Sequence, residues 1–126
     1  MREIKFRAWD TDNKKMVLWG ELLSKNLQNI LSMPKYCGYE LMQYTGIKDK
    51  NGKEIYEGDI IQDSFYDRKA EVVFLEGAFW LDYIKDFKEY ETIHKRYQLI
   101  ANYDNKEVLE VLGNIYDNPE LLKEDK

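Results

Sequence analysis

Residues Tyr44–Ile61 read "YTGIKDKNGKEIYEGDII". Five polar or acidic residues, Asp49, Asn51, Glu54, Glu57 and Asp59, are spaced through a stretch that also holds three glycines, Gly46, Gly52 and Gly58. Three readings compete: a calcium loop, a phosphate loop, and turns between strands. A calcium-binding EF-hand loop needs oxygen ligands at its positions 1, 3 and 5 and glycine at position 6. Counted from Asp49, position 5 is Lys53 and position 6 is Glu54, so a cation stands where a ligand belongs. Counted from Asp10, the same two positions are Lys14 and Lys15. A phosphate loop needs a hydroxyl residue directly after its lysine, and Lys53 is followed by Glu54. The turn reading meets no such obstacle. Asn51–Gly52 is the strongest short hairpin signal, because both residues tolerate positive φ. Gly58 supplies a second tight turn before "DII". The stretch therefore reads strand, hairpin turn, strand, tight turn, strand, with its charges on a solvated face.

Working outward, the flanks also read as β structure. "EIKFRAWD" (Glu3–Asp10) alternates, with Ile4, Phe6 and Ala8 on one face and Lys5, Arg7 and Trp9 on the other, the period of a half-buried strand. The polar "DTDNKK" turn leads to a returning strand at Met16–Trp19. "YELMQYT" (Tyr39–Thr45) is a further strand. "AEVVFLEGAFWLDY" (Ala70–Tyr83) is a hairpin about Glu76–Gly77, and Glu107–Asp117 returns to strand character.

The period changes at Glu21–Ser32. Leu23, Leu27, Ile30 and Leu31 recur at helical spacing, and Pro34 stops the helix. Residues 85–102 hold Phe87, Tyr90, His94 and Tyr97 at roughly helical spacing and are read as partly helical. Asn118–Pro119 starts a short terminal turn or helix. The expected fold is mainly β, a small SH3-like antiparallel barrel or roll with short helical additions. It forms one domain over residues 1–126, with a hairpin–helix extension at 1–36 packed on a barrel at 37–126.

Composition narrows the function. With 126 residues, 44% of them apolar and 14% aromatic, the chain can build one core and is not a disordered segment. Residues 1–63 carry ten basic and ten acidic residues. Residues 64–126 carry nine and fourteen, so the second half holds the whole net charge of −5. That balance disfavours binding to duplex DNA, which needs concentrated positive charge. Cys37 is the one cysteine and cannot form an intrachain disulfide, which fits a reducing cytoplasm. "REIKFR" after Met1 has no apolar signal region, and no apolar run approaches a membrane span.

Catalytic constellations are missing. His94 is the one histidine, and the serines Ser24, Ser32 and Ser64 lie in no G-x-S-x-G motif. One Cys and one His cannot assemble a usual zinc set. No cofactor or metal is expected, and the protein reads as a non-enzyme. The aromatics carry more information. Phe79 and Trp80 are adjacent on a strand and face opposite ways, and Trp9 opposes Phe6. Trp9, Phe79 and Trp80 are therefore the candidate interaction residues. They could serve an oligomer or protein interface. Alternatively, with Lys5, Arg7, Arg68 and Lys69, they could stack on single-stranded nucleic acid.

Three blocks carry a family resemblance: "REIKFRAWD" followed by "KKM", "LMQYTGIKDKNGKEIYEGDII", and "VLGNIYDNPELL". In this order they resemble the YopX family of phage and prophage proteins, whereas residues 17–39 and 84–106 carry no such signature. The resemblance implies an SH3-type β-barrel and a phage origin. It implies no established activity and no catalytic residues, and it makes a homo-oligomer plausible. The resulting expectation is a non-catalytic interaction module in the host cytoplasm. It would act through self-association and contacts with host or phage protein, with nucleic acid the less favoured partner and no membrane partner.

Overall fold

The computed structural model describes residues 3–64, 67–84, 96–98 and 106–123. In chain order the elements are β1 (Phe6–Asp10), β2 (Lys15–Val17), α1 (Trp19–Leu23), α2 (Leu27–Ser32), β3 (Tyr39–Lys48), β4 (Glu54–Tyr56), β5 (Asp59–Asp63), β6 (Arg68–Leu75), β7 (Ala78–Tyr83), β8 (Arg96–Gln98) and β9 (Leu109–Asn114). Single 3-10 turns lie at Lys106–Val108 and Pro119–Leu122. The strands form sheets of order β2-β1-β3-β4 and β8-β7-β6-β5-β9. The fold is mainly β, with antiparallel pairing and two short helices, as the alternating patterns predict.

The chain divides into two compact units, Met1–Tyr44 and Thr45–Lys126, with the division inside β3. In the first unit, β1 lies between β2 and β3, with Ala8 opposite Val17 and Leu41. The polar turn after β1 is held by Asp10, whose Oδ1 accepts from the backbone N–H groups of Asp12 and Asn13 and whose Oδ2 accepts from Asn13 Nδ2. These bonds, led by the one from the Asn13 side chain, hold the Asp10 carboxyl below its ordinary value. A small core of Ala8, Val17, Leu22 and Ile30 lies beneath, with Phe6, Trp19, Leu27 and Cys37 packed against it.

The single helix expected over Glu21–Ser32 is corrected to two. The "SKN" segment, Ser24–Asn26, interrupts it because its side chains offer the backbone alternative hydrogen bonds. Ser24 Oγ donates to the Glu21 carbonyl at 2.6 Å. Asn26 caps the second helix by accepting from the Asn29 N–H. The strand expected at Met16–Trp19 is likewise shorter, because Trp19 opens α1. Helix α2 ends at Ser32, two residues before Pro34.

The second unit has the larger core: Ile47, Ile55, Ile61, Ala70, Val72, Phe79, Leu81, Tyr83 and Leu109. Strand β5 pairs with both β6 and β9, and the register with β9 shifts between Ile60 and Ile61, which face Gly113 and Val111, so that Leu112 is the extra residue on β9. Ile60 and Ile61 are both fully buried, so this strand has no solvent face along its "II". The β6–β7 hairpin closes at Glu76 and Gly77, whose φ angles are +52° and +80°. That is the backbone of the primed turn whose twist matches the strands. The helical reading of 85–102 falls mostly outside the described residues; within it, Arg96–Gln98 is strand and pairs with β7.

Candidate functional site

The stretch that opened the sequence reading is structural. Gly52 takes φ +81°, and the turn around it is built by Asp49 rather than by Asn51. Asp49 Oδ1 accepts from the N–H groups of Asn51 and Lys53 at 2.8 and 2.9 Å. Its Oδ2 accepts from Val111 N–H on β9 at 2.9 Å. Asp59 Oδ2 accepts from Tyr56 N–H at 2.7 Å, and Asp63 Oδ2 accepts from Tyr83 Oη at 2.5 Å. All three aspartates are buried. The expected solvated charged face is corrected here: Asp49 and Asp59 are buried, and their carboxylates accept from backbone N–H groups of the turns and, for Asp49, of β9. Gly58, at φ +89°, donates to the Val72 carbonyl and accepts from Ile115 N–H, locking the second turn between β6 and the end of β9.

The third quoted block is built the same way. Asn114 Oδ1 accepts from the N–H groups of Tyr116 and Asp117, and Asn118 Oδ1 accepts from Asn114 N–H. A Cβ on Gly113 would stand 2.3 Å from Asn118 Oδ1, so this position admits no side chain without moving Asn118. Asn118 thus folds back on the strand instead of capping the following turn.

Of the candidate interaction residues, Phe79 lies in the core at 4% exposure, stacked edge-on against Phe74 with ring centroids 5.0 Å apart. Trp80 is half-buried on the other face of β7. Its Nε1 donates to the Leu75 carbonyl at 3.1 Å. Trp9 is half-buried on β1 of the first unit. Of the cations grouped with these tryptophans, Arg7 is buried. The Lys5 side chain is 15% exposed, pairs with Glu3 at 3.2 Å and sits 5.0 Å above the Tyr44 ring. Arg68 and Lys69 are half-buried.

Two surface features escaped the sequence reading. The first is the run 18–36. Leu18, Leu23, Met33 and Tyr36 are 62%, 54%, 49% and 88% exposed, and Leu31 is exposed with them. On the two short helices Leu22 and Ile30 are buried while Leu23 and Leu31 are exposed. The second is a cross-strand carboxylate pair. Glu71 on β6 stands directly opposite Asp82 on β7, one step along from the Val73–Trp80 pair. Burial, reinforced by the charges of Asp82 and Glu57, holds the Glu71 carboxyl above its ordinary value. The pair becomes visible only once the hairpin register is fixed.

Cys37 is half-buried among apolar neighbours. His94 lies outside the described residues. Among the described residues no group of three or more His, Cys, Asp or Glu side chains is placed to hold a metal ion, and no helix is long and apolar enough to cross a membrane.

The geometry thus defines a mainly β protein with two compact units, in which the quoted sequence blocks build turns and strand junctions. The family model described as YopX protein matches residues 5–123, and the chain belongs to the YopX family. The crystal structure of protein EF1440 from Enterococcus faecalis is similar at 26% identity and a TM-score of 0.61, covering 98% of this chain and 100% of that one. The crystal structure of protein yopX from Bacillus subtilis is similar in fold at 21% identity and a TM-score of 0.53, with 100% of both chains covered. No curated protein matches the chain.

Proposed function

We propose that the chain is a non-catalytic, phage- or prophage-encoded interaction module. It acts in the host cytoplasm through self-association and protein–protein contacts, on an SH3-like scaffold. The observation that supports this most is the exposed apolar run at 18–36, with Leu18, Leu23 and Tyr36 each more than half exposed. Soluble monomers rarely leave large contiguous apolar patches uncovered, and such patches mark contact sites. The phage origin rests on the family resemblance. The absence of a catalytic constellation in the sequence supports a role in binding, and the burial of Arg7 weighs against a nucleic-acid role around Trp9.

Light scattering after size exclusion at tens of micromolar tests the reading. A mass above that of one chain, 15.2 kDa, and rising with concentration is the expected result. A constant monomer mass over that range would overturn self-association.

A further inference from the structure

We infer that Asn51–Gly52 is a site of spontaneous deamidation and that the hairpin around it gates the reaction. The reaction is independent of the self-association proposed above. Asn51 is the one asparagine followed by glycine. That pairing sets a side-chain amide carbon beside a backbone nitrogen whose residue has no Cβ to hinder close approach, and asparagine is among the thermally labile residues. Both residues are exposed, and nothing lies within 4 Å of where a Cβ on Gly52 would stand. Water therefore reaches the turn.

The chemistry balances with water alone. Gly52 N attacks Asn51 Cγ, and the new N–Cγ bond closes a succinimide ring. The Cγ–Nδ2 bond breaks, and Nδ2 leaves as ammonia, taking up the Gly52 amide proton through solvent. Water then opens the ring at either carbonyl, leaving aspartate or isoaspartate at position 51. The net change is one water in and one ammonia out.

The folded turn opposes this at both reacting groups. Gly52 N–H donates to the Asp49 carbonyl at 3.0 Å, so the nucleophile is engaged. Asn51 Nδ2 donates to Glu110 Oε2 at 3.3 Å, which ties the leaving amide to β9. Asn51 N–H donates to Asp49 Oδ1 at 2.8 Å, and Asp49 is itself anchored by Val111 N–H. Ring closure must therefore wait for a local opening of the turn. Once it occurs, the group that donated to Glu110 becomes a carboxylate beside it, and like charges at that range repel. Lys50, 3.9 Å from Glu110, is an exposed partner that offsets little of this. The tie from the hairpin to Glu110 is thereby lost.

The test ages the full chain at mildly alkaline pH and follows position 51 by peptide mapping, which separates asparagine, aspartate and isoaspartate. The folded wild type is expected to convert at least about tenfold more slowly than the same chain in urea. Glu110→Ala frees the amide at a half-buried position and should convert about threefold faster than the folded wild type, as loss of one hydrogen bond implies. Circular dichroism establishes that it is folded. Asp49→Ala should convert faster still, and Asn51→Gln should give no product there. Equal rates for the folded and the urea-unfolded chain would overturn the gate. An Asn51 that stays intact in urea would overturn the site. Glu110→Ala and Asp49→Ala both converting as slowly as the wild type would also overturn the inference, because these bonds would then not be the protection.

Discussion

The two compact units differ in how deeply they bury their apolar residues. In Thr45–Lys126 nine buried residues form one core, Asp49, Asp59 and Asp63 are spent inside on backbone and tyrosine donors, and the exposed large apolar residues among those described, Phe74, Leu75, Leu112 and Leu122, are each less than half exposed. In Met1–Tyr44 the buried cluster among the described residues is the smaller set Ala8, Val17, Leu22 and Ile30, while Leu18, Leu23, Leu31, Met33 and Tyr36 are exposed. The second unit holds the larger core, and the first carries the surface proposed for contact. Substitutions should therefore separate by unit, with large stability effects in one and large association effects in the other.

The largest stability loss is expected at Ile61, fully buried in the second unit. Ile61→Ala should cost about 2–5 kcal/mol through lost transfer energy and the cavity left behind, read from urea denaturation. A loss below about 1 kcal/mol would show that the surrounding core collapses around the gap.

Asp49→Ala should follow, at about 1–3 kcal/mol. It strands Val111 N–H inside the unit, whereas the N–H groups of Asn51 and Lys53, on exposed residues, can turn to water. Hydrogen exchange should show Val111 losing protection before the β6–β7 hairpin does.

Glu71→Gln should act in the other direction, stabilising by about 0.5 kcal/mol at neutral pH by removing a charge that burial, and then the opposed Asp82, disfavour. The sign follows from linkage. With its pKa raised above the ordinary 4.5, the folded state holds the Glu71 proton more tightly than the unfolded state does. The Glu71 contribution therefore worsens as pH rises through the folded value and is relieved below 4.5. The advantage of the glutamine variant should shrink toward zero as pH falls through that window, in paired melts at neutral and acid pH.

The smallest stability effect belongs to the first unit. Leu31→Ser should change stability by no more than about 0.5 kcal/mol, as surface substitutions usually do, while weakening association. If it instead unfolded the unit, the exposed run would be structural and the contrast between the units would fail.

How much of this was legible beforehand follows the physics of each signal. The β6–β7 hairpin could be read from Val72, Phe74 and Gly77 because strand alternation and turn chemistry are local. The turns in Tyr44–Ile61 were legible as turns, but the inward carboxylates were not. Asp49 reaches Val111, a partner far along the chain that no window contains. The N-terminal helix was read too long because leucine periodicity runs across Ser24–Asn26, where local side-chain bonds outweigh it. Leu23 and Leu31 share their helical spacing with the buried Ile30, so spacing alone does not mark the surface now proposed as the contact. The division within β3 was equally hidden, since it depends on the pairing of Phe6–Asp10 with Tyr39–Gln43. For Phe79 and Trp80 alternation fixes that the two face opposite ways but not which of them is buried; that depends on the sheet, which places Phe79 in the core.

Sedimentation equilibrium of the wild type beside Leu31→Ser/Met33→Ser, over a wide range of concentration, tests the central claim most directly. The account predicts that the wild-type mass climbs above 15.2 kDa with concentration while the variant stays there. Two monomers, or two chains that associate alike, would contradict it.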